Sequence, residues 1–307
     1  MTLKALALQF GPIRRLYEHR NDLLLQLDRE RLAHARARIE VQTLGPQDIS
    51  FGFDAAFYRS RYADIAHLSD EEALLHFLDR GHNEARYQSE IAGRELLVQQ
   101  VPVDQPALEI GPFASPQIHG PEVRYADFLS TDELRARAPS CGFDPERCPH
   151  IHYVLRDVEL GSIPETFASV FSSHCIEHQP DLVKHLQDVA KILEPGGRYY
   201  LVIPDKRFCF DHFIPPPSTL DVLTAHAEKR RLHSLRSILS TMGLTTHNDP
   251  GLHWAGDHGS MAIESDPKKI LDAATTQHAR STECNEYIDV HAWQFTPWGF
   301  HGICKDL

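Results

Sequence analysis

The stretch 167–205, "FASVFSSHCIEHQPDLVKHLQDVAKILEPGGRYYLVIPD", decides the fold. Ser169 to Ser172 is a short apolar-leaning run of the kind that forms a buried strand. Leu182, Val183, Leu186, Val189, Ile192 and Leu193 then recur at spacings of three and four, which predicts a helix with one buried face. Pro195-Gly196-Gly197 stops that helix, and Arg198 to Ile203 is a β-rich run leading to Pro204. Strand, helix, turn and strand in this order make a right-handed crossover unit.

Upstream, Ala107-Leu108-Glu109-Ile110-Gly111 is a short apolar strand ending in an acid and a glycine, and Val123 to Ala126 is a second strand ending at Asp127. Ile151 to Leu155 reads as a third, with Asp157 directly after it. Together these strands predict an α/β fold with a doubly wound parallel sheet. In such sheets the ligand lies beyond the carboxyl ends of the strands, where the chain order reverses. Gly111 lets the backbone approach a ligand closely, Glu109 beside it is able to hold an ammonium group, and Asp127 stands where an acid takes ribose hydroxyls.

"ALEIGPFASP", "VRYADF" and the whole of 167–205 resemble the class I S-adenosylmethionine-dependent methyltransferases over roughly residues 105 to 205. Pro112, Phe113 and Ala114 stand where that family has further glycines, so the later stretch is the more specific match. The resemblance implies a Rossmann-like sheet, S-adenosyl-L-methionine as cofactor, and a cofactor site formed by Glu109, Gly111, Pro112, Asp127, Asp157, Ser173, His174 and His178. Asp157 is then the residue facing the adenine amino group. A competing pattern overlaps it: His174-Cys175-Ile176-Glu177-His178 fits H-x-x-E-H, which binds zinc when both histidines share a helical face. The strand before the motif and Pro180 after it place the histidines in a loop instead.

The chain has 307 residues with a formal net charge of -12, and this acidic balance argues against a nucleic-acid partner, whose phosphates call for clustered Lys and Arg. The six cysteines form no C-x-x-C pair, which fits a reducing, cytoplasmic setting. The apolar run before Gly11-Pro12 is too short for a signal segment, and no stretch is long enough to span a membrane.

Four parts are expected: an N-terminal helix in 1–50, a small helical module in 51–90, a linker in 91–104 and a methyltransferase domain in 105–307. Ile13 to Leu44 lacks proline and glycine and predicts a long polar-faced helix. Residues 53–87 resemble a helical module attached to bacterial glycosyltransferases, through Tyr62, Asp64, Ile65, His76, Gly81, Glu84 and Arg86. That resemblance implies recruitment to a glycosyltransferase partner or a glycan, whereas the residues alone require no more than a compact helical hairpin.

An insertion at about 205–290 follows the fifth strand, in the position where such folds recognise substrate. "DKRFCFDHF", "HNDPGLHWAGDHG" and "YIDVHAW" supply Asp205, His212, His253, Trp254, Asp257, His258, Asp289 and His291. Histidine suits the removal of a hydroxyl proton, so His253, Asp257, His258 and His291 are the candidate catalytic group, with Asp257 orienting an imidazole. A divalent ion on Asp257, His258 and His291 is the alternative, although no metal site is assigned. Trp254, Trp293 and Trp298 offer faces for a sugar ring or serve as core aromatics. These insertion segments resemble a methyltransferase subgroup associated with polysaccharide biosynthesis, which implies O-methylation of a sugar hydroxyl on a surface polysaccharide or its precursor. The competing reading is a cofactor-binding but inactive scaffold in a glycan-assembly complex. By that resemblance the chain stops at Leu307, short of the family's terminal strand pair, which implies either an exposed sheet edge for a second copy or a partner to cover, or a strand count that is off by one.

Overall fold

A computed structural model describes residues 51–307 apart from 157 and 265, so the expected helix over 13–44 and the candidate Asp157 lie outside the described residues. The described residues fall within one compact unit, Gly45–Leu307. Five strands, β1 (Ala107–Ile110), β2 (Val123–Asp127), β3 (Tyr153–Val154), β4 (Phe167–Ser173) and β5 (Leu193–Val202), pair in the order β3-β2-β1-β4-β5 with every neighbour parallel. The order reverses between β1 and β4, so the crevice of a doubly wound sheet lies at the ends of those two strands.

Both faces of the sheet are covered, which is why β1 is buried at all four positions. Leu108, Ile110 and Val170 pack with Val189 and Ile192 of helix α5 (Leu182–Ile192) on one side. Ala107, Phe171 and Val123 turn to the other side, where Leu97 and Val98 of α3 (Arg94–Gln99) meet them. Strand alternation thus divides the core, and each large apolar side chain buried this way contributes roughly 1.5–3 kcal/mol. The stretch 91–104, read from sequence as a connection, therefore contains a helix that packs on the sheet.

Helix α5 starts where expected because the Asp181 carboxylate accepts from the Lys184 amide at 2.9 Å. Its end differs from expectation: the helix stops at Ile192 and β5 begins at Leu193, with Pro195-Gly196-Gly197 inside the strand. The register jumps there, Phe167 pairing with Leu193 and Ser169 with Arg198, so the proline and glycines bulge out of the ladder. Strand β3 is shorter than the expected 151–155 run and pairs at Ala126↔Tyr153 and Asp127↔Val154.

Ahead of the sheet, α1 (Ala55–Arg61) and α2 (Asp70–His76) enclose Tyr58, Ile65, Ala73 and Phe77. The residues that carry the module's resemblance hold this hairpin together. Asp64 accepts two bonds from Arg86 at 3.0 and 2.9 Å, Tyr58 meets His76 Nδ1 at 3.1 Å, and a Cβ on Gly81 would strike the Tyr58 hydroxyl.

Helix α4 (Thr131–Arg137) links β2 to β3. After β5 come α6 (Thr219–Ala227), α7 (Leu235–Leu244), α8 (Pro250–Trp254), α9 (Pro267–Cys284) and α10 (Pro297–Asp306). Val222 and Ala225 of α6, Ile303 of α10, and Trp293 and Phe295 from the segment before α10 close over Ile176 and Leu182 beside the tip of β4. Among the described residues no helix is long and apolar enough to cross a membrane.

Candidate functional site

The ends of β1 and β4 are bound to each other by Cys175. Its thiol donates to the Ile110 carbonyl at 3.2 Å, and a Cβ on Gly111 would lie 2.2 Å from its sulfur. Gly111 has φ +70°, so both its conformation and its neighbour demand glycine. Two non-glycine residues at the same strand ends also take positive φ, Phe113 at 45° and His174 at 55°. Such conformations cost of order 1 kcal/mol and concentrate where a loop is shaped for a ligand.

The candidate cofactor residues divide into those consumed by the loops and those with capacity left. Glu109 is consumed: its carboxylate accepts from the Gln117 amide at 2.9 and 3.0 Å and from Ile118 at 3.0 Å, so it folds the loop after β1. Burial still pushes it up to about 7. Pro112 is buried within that loop. Asp127, at the end of β2, accepts from the Leu129 amide at 3.1 Å, and burial raises its pKa from the ordinary value. Ser173 keeps a buried hydroxyl with no partner. His174 accepts from Arg94 at 2.7 Å, and burial followed by the Arg94 charge holds it down at about 4, so it is neutral near pH 7.

Beyond His174 the chain makes a 3-10 turn, Ile176–His178, and so the two histidines of H-x-x-E-H do not share a helical face. Glu177 in this turn is fully buried, both of its carboxylate oxygens lack a hydrogen-bond partner, and burial pushes it up to about 7. Its carbonyl accepts from the amides of Ala292 at 2.7 Å and Trp293 at 3.1 Å. That pairing draws the end of the insertion against the tip of β4. The rings of His178 and His291 consequently meet edge to face at 4.5 Å. His291 Nδ1 donates to Asp211 Oδ2 at 2.5 Å, and both residues are buried. His178 Nδ1 stands 3.2 Å from Asp289, and contact with His178, then the ion pair with Arg137, holds the Asp289 carboxyl well below its usual range.

The other candidate catalytic residues lie in a second cluster. His253 on α8 and His258 after it bring their Nδ1 atoms to 3.0 Å, and the His212 ring stacks on His258 at 3.8 Å. Asp257, expected to orient an imidazole, instead accepts from the Gly259 amide at 3.1 Å. A short polar side chain next to a glycine turn satisfies the local backbone first. The orienting carboxylate is Asp211, which the sequence reading passed over. Asp211-His212 repeats the Asp-His pair of 257–258, and that repetition is the signal available to find it. The trio Asp257, His258 and His291 is not brought together as one metal group: His258 joins His212 and His253, while His291 joins Glu177 and His178. Of the tryptophans, Trp293 is core and donates to the Gln179 carbonyl at 2.6 Å, Trp298 meets Phe51 edge to face, and Trp254 is 64% exposed and stacked on Phe208 at 4.2 Å.

A family profile described as a methyltransferase domain matches residues 127–201, from the acid ending β2 to the body of β5. No curated protein matches the chain. With the parallel sheet ordered β3-β2-β1-β4-β5, that match makes the protein an S-adenosylmethionine-dependent methyltransferase with a Rossmann-like fold. The strand-tip residues fit the methyl donor, because the buried Ser173 hydroxyl and the Glu177 carboxylate have hydrogen-bonding capacity that no protein group uses.

Proposed function

We propose that the enzyme O-methylates a hydroxyl of a sugar, on a surface polysaccharide or its precursor. The observation that carries this reading is the His291–Asp211 pair set beside Glu177 and His178 at the β4 tip. With Nδ1–H donated to Asp211, the neutral His291 imidazole carries its lone pair on Nε2, the arrangement of a general base. Asp211 fixes that tautomer and stabilises the imidazolium once the acceptor hydroxyl has given up its proton.

Bound S-adenosylmethionine supplies a methyl group on a positively charged sulfur, so the donor needs no further activation. Asp127, Ser173, His174, Glu177 and His178 would hold it at the strand ends, with Gly111 and Pro112 shaping the loop. The chain's own work is therefore alignment and proton removal, and a buried site favours both by limiting water. Support for a carbohydrate acceptor comes from Trp254, whose exposed ring stacked on Phe208 offers a flat apolar face. The 51–90 module as a recruiting element for a glycosyltransferase partner, and the 105–307 domain as the catalytic part, belong to the same reading.

Transfer of a labelled methyl group from S-adenosylmethionine to a panel of polysaccharide precursors tests the proposal. Labelled glycan with the wild type, reduced about 100-fold or more in Asp211→Asn, is the expected result. Binding of S-adenosylhomocysteine without transfer to any sugar hydroxyl would overturn the sugar assignment.

A further inference from the structure

The second histidine cluster has a construction that a proton-transfer site does not need. His253 Nε2–H donates to the His247 carbonyl at 3.2 Å, and His212 Nδ1–H donates to the Arg207 carbonyl at 2.8 Å. Each bond commits one ring nitrogen as donor and leaves the other, His253 Nδ1 and His212 Nε2, as a lone pair. Metal-bound histidines are held in this way, one nitrogen on the ion and the other on a carbonyl or carboxylate. His258 presents Nδ1 to His253 Nδ1 at 3.0 Å, so a proton or a cation must lie between the two lone pairs. One ligand atom from each of the three residues falls within 4.8 Å of the others. His212 and His253 are buried, and His258 is partly so.

We propose that His212, His253 and His258 form a divalent transition-metal site, with zinc the fitting ion. Three neutral imidazoles are nitrogen donors that suit zinc and do not suit calcium or magnesium, which take oxygen. The three residues come from the segment after β5, from α8 and from the loop that follows it. One ion therefore fastens the two ends of the insertion's histidine-bearing loops. The same segment is secured from the other side by buried Lys206, whose ammonium donates to the His212 carbonyl at 2.6 Å. Asp211 immediately precedes His212, so the ion sets the backbone that presents Asp211 to His291. The site is structural with respect to methyl transfer, and its existence does not depend on the sugar assignment.

The test uses the full chain without a histidine tag. Elemental analysis after dialysis should find one zinc per chain, and cobalt substitution should give the visible bands of a tetrahedral site. Single variants His212→Gln, His253→Gln and His258→Gln should each weaken zinc retention by more than the roughly 10–100-fold that an outer-shell partner is worth. His67→Ala, at an exposed position, should not. Chelation of the wild type should lower its thermal midpoint by about 5 °C or more, with recovery on adding zinc. Wild-type protein that holds no zinc, gives no cobalt bands and melts unchanged with chelator would overturn the proposal, whether or not the variants fold. Retention in all three variants with loss in His291→Gln would overturn it as well, placing the ion at Glu177, His178 and His291 instead.

Discussion

Two histidine clusters share the segment 206–212, which supplies Asp211 to one and His212 to the other, and they differ in what holds their rings. At the β4 tip His291 is held by the Asp211 carboxylate, and His178 stands against Asp289. In the insertion His212 and His253 are held by the carbonyls of Arg207 and His247. A carboxylate strongly stabilises an imidazole that has gained a proton, whereas a neutral carbonyl orients a ring and favours that charge less, and burial holds His212 and His253 toward the neutral form. The same residue type is thus prepared for proton transfer in one place and for lone-pair donation in the other. Histidine count and spacing do not separate the two; the second nitrogen's partner does.

The sharpest way to break this comparison is to make the same substitution in both clusters. His291→Ala is expected to lower methyl transfer about 10²–10⁴-fold while S-adenosylhomocysteine affinity, read by calorimetric titration, stays within a few-fold. His253→Ala is expected to lose zinc and thermal stability first, with transfer falling only as far as the fold is disturbed. Equal losses of transfer at constant stability in both variants would erase the distinction.

Next in size is Gly111→Ala, which adds a Cβ 2.2 Å from the Cys175 sulfur at a φ of +70°. Overpacking of this kind costs roughly 1–3 kcal/mol in chemical denaturation. Adding Cys175→Ala removes the clash and leaves the conformational cost, so the double variant should recover part of the loss. A full recovery would mean that φ contributes nothing there.

A smaller effect concerns pH. Glu177 is pushed from an ordinary 4.5 up to about 7 by burial, so between those values the folded chain binds more protons than the unfolded one. Stability in the cofactor-free enzyme should therefore fall as pH rises through that window and level off above it. Glu177→Gln should flatten the fall, by no more than about 3 kcal/mol at pH 8 relative to pH 4. Glu109 is also pushed up to about 7 by burial, so some slope should persist in the variant. Urea midpoints measured across pH 4 to 8 check the sign.

The smallest effect is expected from Asp64→Asn in the helical hairpin. Its pair with Arg86 is on the surface, where such contacts add little, so the thermal midpoint should fall slightly and methyl transfer should not change.

Much of the sheet was legible because period and punctuation act locally. The short apolar run of 107–110, closed by Gly111, and the three-and-four spacing of 182–193 pointed to the right elements, and Pro195-Gly196-Gly197 misled only about where β5 begins. The candidate site was legible in its residue types but not in its pairings. His291 meets a carboxylate eighty positions away, and spacing along the chain carries no record of such a contact. Asp257 and Asp211 each precede a histidine, yet the turn at Gly259 takes the Asp257 carboxylate. The motif residues of the hairpin were equally visible, and there internal bonds absorb Asp64, His76 and Arg86.

Hydrogen–deuterium exchange with S-adenosylhomocysteine tests the central claim most directly, because it needs no acceptor. Slowed exchange at 109–118 and 172–178, with 250–259 unaffected, is the result this account predicts. Protection confined to the insertion, or none at the ends of β1 and β4, would contradict it.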